Sequence, residues 1–193
     1  VEENKTVRDI ALPASMDQFS SPIIAAANDD NLSVWQQNGE QFARIAHIEG
    51  LRCDRINFAN VDTDTDTELV CLDRTDYMVE PPMSTIIVFE VSDYGLTENS
   101  RSTFSGDAIE FVVDQSTSEN QNILVARMFE TPPPVENYSH ISLMNPLTGG
   151  LLWTGPNILG LVNHRSMIHR NIEQGGEASR LMFATDKAMY LVK

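Results

Sequence analysis

Six glycines arranged in three pairs constrain the fold of this chain more than any other feature. The members of each pair lie 11 residues apart, and the pairs recur after 56 and 54 residues: Gly39 and Gly50, Gly95 and Gly106, Gly149 and Gly160. Regular self-similarity at this period is typical of stacked supersecondary units, because a single unit cannot bury its apolar face alone. We therefore expect a repeat architecture.

The units aligned on these glycines each contain short runs rich in Val, Ile, Leu, Phe and Tyr, separated by turn residues. Their approximate bounds are 7–50, 51–106, 107–160 and 161–193. Helical periodicity is almost absent, and four-stranded units of this length are typical of propeller blades. The sequence predicts an all-β fold in one domain: a β-propeller-like array of about four blades, each a four-stranded antiparallel sheet.

The last unit lacks its fourth run, so its blade is expected to be incomplete and the total is about fifteen strands. The missing outer strand could come from residues 2–6 acting as a latch or from a missing neighbour. The chain is therefore expected to be either a propeller or a fragment of a larger one.

Charge and hydropathy exclude two classes of partner. The net charge is −15 and only 13 Lys and Arg are present, scattered along the chain, so a nucleic-acid partner is not expected. The longest apolar run, residues 23–27, is far shorter than a membrane-spanning helix requires. We expect no membrane span.

Two cysteines, Cys53 and Cys71, bear on the redox compartment of the protein. Their spacing is not that of a zinc or redox motif. Both fall in predicted strands of one hairpin, which permits a cross-strand disulfide, but two buried free thiols are the preferred expectation. A disulfide would indicate export from the cytoplasm.

An acidic stretch follows Cys53, and it reads Asn-Val-Asp-Thr-Asp-Thr-Asp-Thr-Glu-Leu-Val over residues 60–70. It resembles the D-x-D-G-D-G-x-x-E-L-V segment of FG-GAP/VCBS-type β-propellers, which joins the first two strands of a blade. The resemblance implies that the segment binds Ca²⁺, which prefers hard oxygen ligands. The resemblance implies Asn60, Asp62, Asp64 and Glu68 as metal ligands, with Asp66 contributing through its backbone carbonyl.

This chain departs from the family pattern within the acidic stretch. Thr65 occupies the place of a turn glycine, where a positive φ would strain a β-branched residue. A solvated acidic turn that binds no ion is therefore the alternative. The resemblance is weak outside the second unit.

Long connections between the second and third runs distinguish the second and third units, and both contain proline. Proline stiffens a loop, and exposed aromatic and Met side chains suit protein recognition. The alternative is that these loops cap the disc or pack on each other. The candidate partner-binding residues are Tyr77, Met78, Glu80, Pro81, Pro82, Phe129, Pro132, Pro133, Pro134 and Tyr138.

Motifs of nucleophilic, nucleotide-dependent and zinc-dependent enzymes are absent from the sequence. We expect a non-catalytic binding or scaffold module, extracellular or periplasmic, that recognises a protein or glycan through the face with the proline-rich loops. One alternative is a catalytic or accessory propeller domain of a secreted hydrolase or lyase, with carboxylates on the central pore. Another is an interaction propeller of an intracellular assembly.

Overall fold

The structure is a computed structural model that describes residues 6–74, 81–114, 121–129, 137–163, 165–170 and 180–192. Blade one contains β1 (Val7–Ala11), β2 (Ile23–Asn28), β3 (Asn31–Asn38) and β4 (Gln41–Glu49). Blade two contains β5 (Arg55–Ala59), β6 (Glu68–Asp73), β7 (Met83–Ser92) and β8 (Gly95–Ser105). Blade three contains β9 (Asp107–Val113), β10 (Ile123–Phe129), β11 (Tyr138–Met144), β12 (Leu151–Thr154) and β13 (Ile158–Leu159). Blade four contains β14 (Ile168–Arg170), β15 (Arg180–Ala184) and β16 (Met189–Val192).

These strands form four antiparallel sheets arranged as a four-blade β-propeller, which confirms the fold predicted from the sequence. Within each blade, consecutive strands pair in chain order, from the innermost strand to the outermost. Blade four has three described strands, in agreement with its missing fourth run. No helix that could cross a membrane occurs in the described part of the chain.

The fourth run of the third unit differs from the prediction, because it forms two strands instead of one. Both β12 and β13 pair with β11, and residues 155–157 separate them. This interruption contains Pro156, which has no backbone N–H to donate to the ladder. A proline therefore divides what the apolar pattern presents as one run.

The paired glycines lie at positions where the backbone conformation favours glycine. All six have a positive φ, between 65° at Gly39 and 140° at Gly95, a region that side chains with a Cβ rarely adopt. The first glycine of each pair lies at the connection between the third and fourth strands, and the second follows the fourth strand. In blade two, Gly106 N donates to Pro82 O at 2.7 Å, where the chain crosses to blade three.

Three buried apolar clusters join consecutive blades. The first joins blades one and two and includes Leu69, Ile87 and Phe89 from blade two. The second joins blades two and three, and the third joins blades three and four. Blade two therefore buries both of its faces.

A ring of four charged residues lies around the axis, with one residue from each blade. Arg55 donates to Glu110 through two bonds of 2.7 and 2.8 Å, and its Nη1 lies 3.2 Å from Asp9 Oδ1. The backbone N–H of Arg165 donates to Glu110 at 2.5 Å, and its guanidinium lies 3.9 Å from Asp9. Alternating charges thus link the four blades at the centre.

The two cysteines form a disulfide, so the preference for two free thiols was wrong. Cys53 lies just before β5 and Cys71 lies in the neighbouring β6, with their Cα atoms 5.5 Å apart. This separation falls within the range that a disulfide spans. Strand pairing brings the two residues together, and the bond is fully buried between blades one and two.

Candidate functional site

The acidic turn of residues 60–67 connects β5 to β6 and is shaped by its own polar side chains. Asp62 Oδ1 accepts a hydrogen bond from Asp64 N at 2.9 Å, and Asp64 Oδ1 accepts one from Asp66 N at 2.8 Å. Asn60 Nδ2 donates to Asp64 O at 2.9 Å. These local bonds favour a compact turn, since Asn and Asp side chains replace backbone partners.

Three carboxylates converge at the base of this turn: Asp62, Glu68 and Glu90. Their nearest oxygens all lie within 4.8 Å of one another. Oxygens on opposite sides of a calcium ion lie about 4.6–5.2 Å apart, twice the usual Ca–O distance. The cluster therefore has the dimensions of a small cation site.

Register explains how Glu68 and Glu90 meet. Leu69 pairs with Phe89 across β6 and β7, so the antiparallel ladder places Glu68 opposite Glu90 one step further along. Like charges directly opposite each other destabilise a sheet. A bound cation would remove this repulsion.

Two buried oxygens of the site lack a hydrogen-bond partner. Glu68 is fully buried, and its Oε2 accepts from Val61 N at 2.8 Å while its Oε1 has no partner. Asn60 Oδ1 is also buried without a partner. A buried acceptor without a donor typically costs about 1–3 kcal/mol. Both atoms are hard oxygens of the kind that a divalent cation would satisfy.

Burial and neighbouring charge raise the pKa values of both glutamates. Desolvation raises the pKa of Glu68 to about 7; the hydrogen bond from Val61 acts against it, and the charges of Asp62 and Glu90 add to it. Desolvation also raises the pKa of Glu90, and the aspartates of the turn act in the same direction. The carboxylates therefore lack a compensating positive charge.

Glutamines from the two neighbouring blades hold the acidic turn at both ends. Gln18 of blade one donates to Thr67 O at 3.0 Å and accepts from Thr67 N at 2.6 Å. Gln121 of blade three accepts from Asn60 N at 3.1 Å, and its backbone N donates to Asn60 O at 2.7 Å. The turn is therefore fixed from outside its own blade.

The expected strain at Thr65 is absent. Arg165 is the one non-glycine residue with a positive φ in the described chain, so Thr65 does not adopt the conformation of the glycine that it replaces. Hydrogen bonds from backbone N–H groups to the side chains of Asp62 and Asp64 stabilise a turn that needs no positive φ at Thr65. The objection to ion binding that Thr65 raised from the sequence is therefore removed.

The five implied ligands take different positions. Asp62 and Glu68 join the carboxylate cluster, and Asn60 contributes the buried amide oxygen. Asp64 and Asp66 are exposed and lie outside that cluster. Glu90 was missed because it lies 22 residues beyond Glu68 in sequence, on the neighbouring strand of the blade.

The proline-rich loop face is described in part. Tyr77, Met78, Glu80 and Pro132–Pro134 lie outside the described residues, whereas Pro81 is exposed and Pro82 is partly buried. Phe129 and Tyr138 stack with ring centroids 5.2 Å apart, and His140 lies edge-on to both rings. These two aromatic residues thus pack on each other while keeping part of their surface exposed.

Carboxylates at the axis offer little to the enzyme hypothesis. A pocket between the innermost strands is lined by Asp9 and Glu110, among other residues. Both carboxylates are bonded to Arg55, which occupies acceptor positions on each of them.

Comparison with known proteins gives no family assignment: no protein-family model and no curated protein sequence matches this chain.

Proposed function

We propose that this chain is a non-catalytic, calcium-binding β-propeller module that acts outside the cytoplasm and recognises a protein or glycan. One observation carries the calcium assignment: the fully buried Glu68 has an unpartnered Oε1 and lies in a cluster with Asp62 and Glu90. A solvated acidic turn would not bury such a group, because desolvating an unpaired carboxylate is costly. The resemblance of residues 60–70 to FG-GAP/VCBS segments points to the same ion.

Calcium suits this donor set better than a softer or smaller ion. The available groups are carboxylates, an amide oxygen and backbone carbonyls, with no His or Cys in the carboxylate cluster. Ca²⁺ takes six to eight such oxygens in flexible geometry, whereas Mg²⁺ requires a near-ideal octahedron. Asp62, Glu68 and Glu90 would hold the ion, and Asn60 would complete the protein ligands.

Two features support an extracytoplasmic location. The buried disulfide between Cys53 and Cys71 is of a kind that persists in oxidising compartments. Calcium sites of extracellular modules commonly have dissociation constants on the order of 0.1–1 mM, which matches calcium outside cells and not inside. An oxidised, calcium-bound blade two is consistent with an exported protein.

Thermal unfolding with calcium and with EDTA tests the ion site. Saturation at a hundredfold excess over Kd should stabilise the parent by about 2.7 kcal/mol. Glu90→Gln should lose most of this gain, yet in EDTA it should melt above the parent because it removes a like charge. Glu49→Gln, on an exposed position of β4, should respond to calcium as the parent does. If the parent melts at the same temperature with calcium and with EDTA, the ion site is refuted and the acidic turn is a solvated turn that binds no ion.

The partner is proposed to bind the face that carries the β6–β7 and β10–β11 connections. Phe129 and Tyr138 support this assignment, since a stacked aromatic pair gives rigid contact area at low entropic cost. Deleting residues 77–80 and 131–135, which leaves Pro82 and β7 intact, should abolish retention on a panel of immobilised glycans and secreted proteins, with the melting point preserved. Undiminished retention by the deletion variant would refute this face.

A further inference from the structure

Blades one, two and three each have a β-bulge in the outer strand. The pairing of β4, β8 and β12 with the preceding strand shifts register once in each blade. The extra residue is Ile45 in blade one, Asn99 in blade two and Leu152 in blade three. Bulges re-aim side chains and often border functional sites. Asn99 is the polar member of these three residues.

The side chain of Asn99 contacts the carboxylate cluster. Thr97 lies opposite Glu90 in the ladder of β7 and β8, and the alternation of side chains places Asn99 on the same face as Glu90. Asn99 Nδ2 donates to Glu90 Oε1 at 2.5 Å. The opposite orientation of the amide would place its carbonyl oxygen against an ionised carboxylate, with no proton between the two acceptors. The charge of Glu90 therefore sets the orientation of the Asn99 amide.

This bond engages one oxygen of Glu90. Among the side chains that the structure describes, Asn99 alone donates a hydrogen bond to Glu90, and Oε2 accepts none. A glutamate that binds an ion must give up rotamer freedom, which opposes binding. Because Asn99 holds the Glu90 carboxylate in place without an ion, part of this cost falls on folding instead of on ion binding.

The other two bulge residues have different surroundings. Ile45 is partly buried and packs against the apolar cluster shared by blades one and two. Leu152 is 57% exposed. The bulge is thus a feature of the repeat, whereas the amide belongs to the blade that contains the carboxylate cluster.

We propose that Asn99 is a positioning residue of the calcium site: it holds the carboxylate of Glu90 through Oε1 and leaves Oε2 to bind the ion. This inference rests on the proposed calcium site, and it adds a residue that acts through Glu90 without contacting the ion. A neutral donor suits this role, because an arginine or lysine at the same place would cancel part of the negative charge that attracts the cation.

Displacement of terbium(III) by calcium chloride, followed by terbium luminescence, measures the calcium affinity of the full chain. Asn99→Ala should weaken calcium binding about tenfold, since the loss of a hydrogen-bond partner of a metal ligand commonly costs about 10–100-fold in affinity. Leu152→Ala removes the bulge side chain of blade three and is the matched control, which should bind as the parent does.

A double-mutant cycle with Glu90→Gln separates positioning from the other roles of Asn99. If Asn99 acts through Glu90, Asn99→Ala should change the affinity of the Glu90→Gln variant by less than about twofold. A direct ligand, or a residue that only supports the fold, would cost the same in both backgrounds, because its contribution does not pass through Glu90.

Three outcomes would overturn the proposal. Equal losses from Asn99→Ala in the parent and in Glu90→Gln would refute the positioning role. Equal calcium affinity of the parent and Asn99→Ala would refute it as well, while the calcium site itself would stand. A parent that binds neither terbium nor calcium would refute the site and this inference together.

Discussion

Blades two and four are built from the same repeat, but they differ in how their faces are covered. Blade two packs on blade one through one face and on blade three through the other, and a disulfide and a carboxylate cluster lie within it. Blade four packs on blade three through one face. Its other face exposes Ile168, Met182, Met189 and Leu191, in the described part of the chain.

Equivalent positions in the two blades show that neighbours, not composition, decide burial. Val70 of β6 corresponds to Met182 of β15 in the repeat, and Val88 of β7 corresponds to Leu191 of β16. The two valines are fully buried, whereas Met182 and Leu191 are 43% and 53% exposed. The apolar pattern of a blade thus persists where no described neighbour covers it.

The largest effect predicted from this comparison concerns core truncation. Phe89 of blade two is 2% exposed and packs in the cluster shared with blade one, so Phe89→Ala should cost about 3–5 kcal/mol of unfolding free energy. Met189→Ala in blade four should change it by less than about 0.5 kcal/mol, because Met189 is 75% exposed. Chemical denaturation of both variants measures the difference.

A large loss of unfolding free energy in Met189→Ala would contradict the comparison, since it would mean that another protein surface covers this face in solution. Repeating the measurement at several protein concentrations identifies one such cover: a cost that grows with concentration indicates self-association. A constant, small change would mean that this face of blade four stays exposed in solution.

The repeat made most of the fold predictable from sequence. Paired glycines mark positions where the backbone needs a positive φ, and the spacing between them fixes the length of a blade. Sequence could not favour the disulfide, because the distance between the two cysteines depends on strand register. Cys71 lies opposite Ile56 in the ladder, and its partner Cys53 precedes the strand altogether.

The candidate site was predictable only in its local part. Asp62 and Glu68 belong to one acidic stretch, so their spacing pointed to a shared ligand. Glu90, Gln18 and Gln121 come from distant segments that only the packed blades bring to the turn. The acidic stretch therefore indicated only part of the carboxylate cluster, whereas tertiary contacts supply the third carboxylate and the support.

The smaller predicted effect is a pH dependence of stability at the carboxylate cluster of blade two. Without calcium, burial raises the pKa of Glu68 from 4.5 to about 7, so the folded state holds its proton more tightly than the unfolded state does. The stabilisation that comes from this tighter binding of the Glu68 proton is complete below pH 4.5 and is lost as pH rises through about 7. The loss should amount to at most about 3 kcal/mol.

Melting curves in EDTA between pH 4.5 and pH 8 test this prediction, with Glu68→Gln as the variant and Glu49→Gln as the exposed control. The parent and the control should lose stability more steeply with rising pH than Glu68→Gln, which cannot ionise. Calcium should reverse the trend in the parent, because the ion binds the deprotonated carboxylate and its stabilising effect grows as pH passes about 7. Parallel pH profiles for the parent and Glu68→Gln would show that Glu68 ionises as an ordinary carboxylate does, and the sealed interior of blade two would then be open to water at this site.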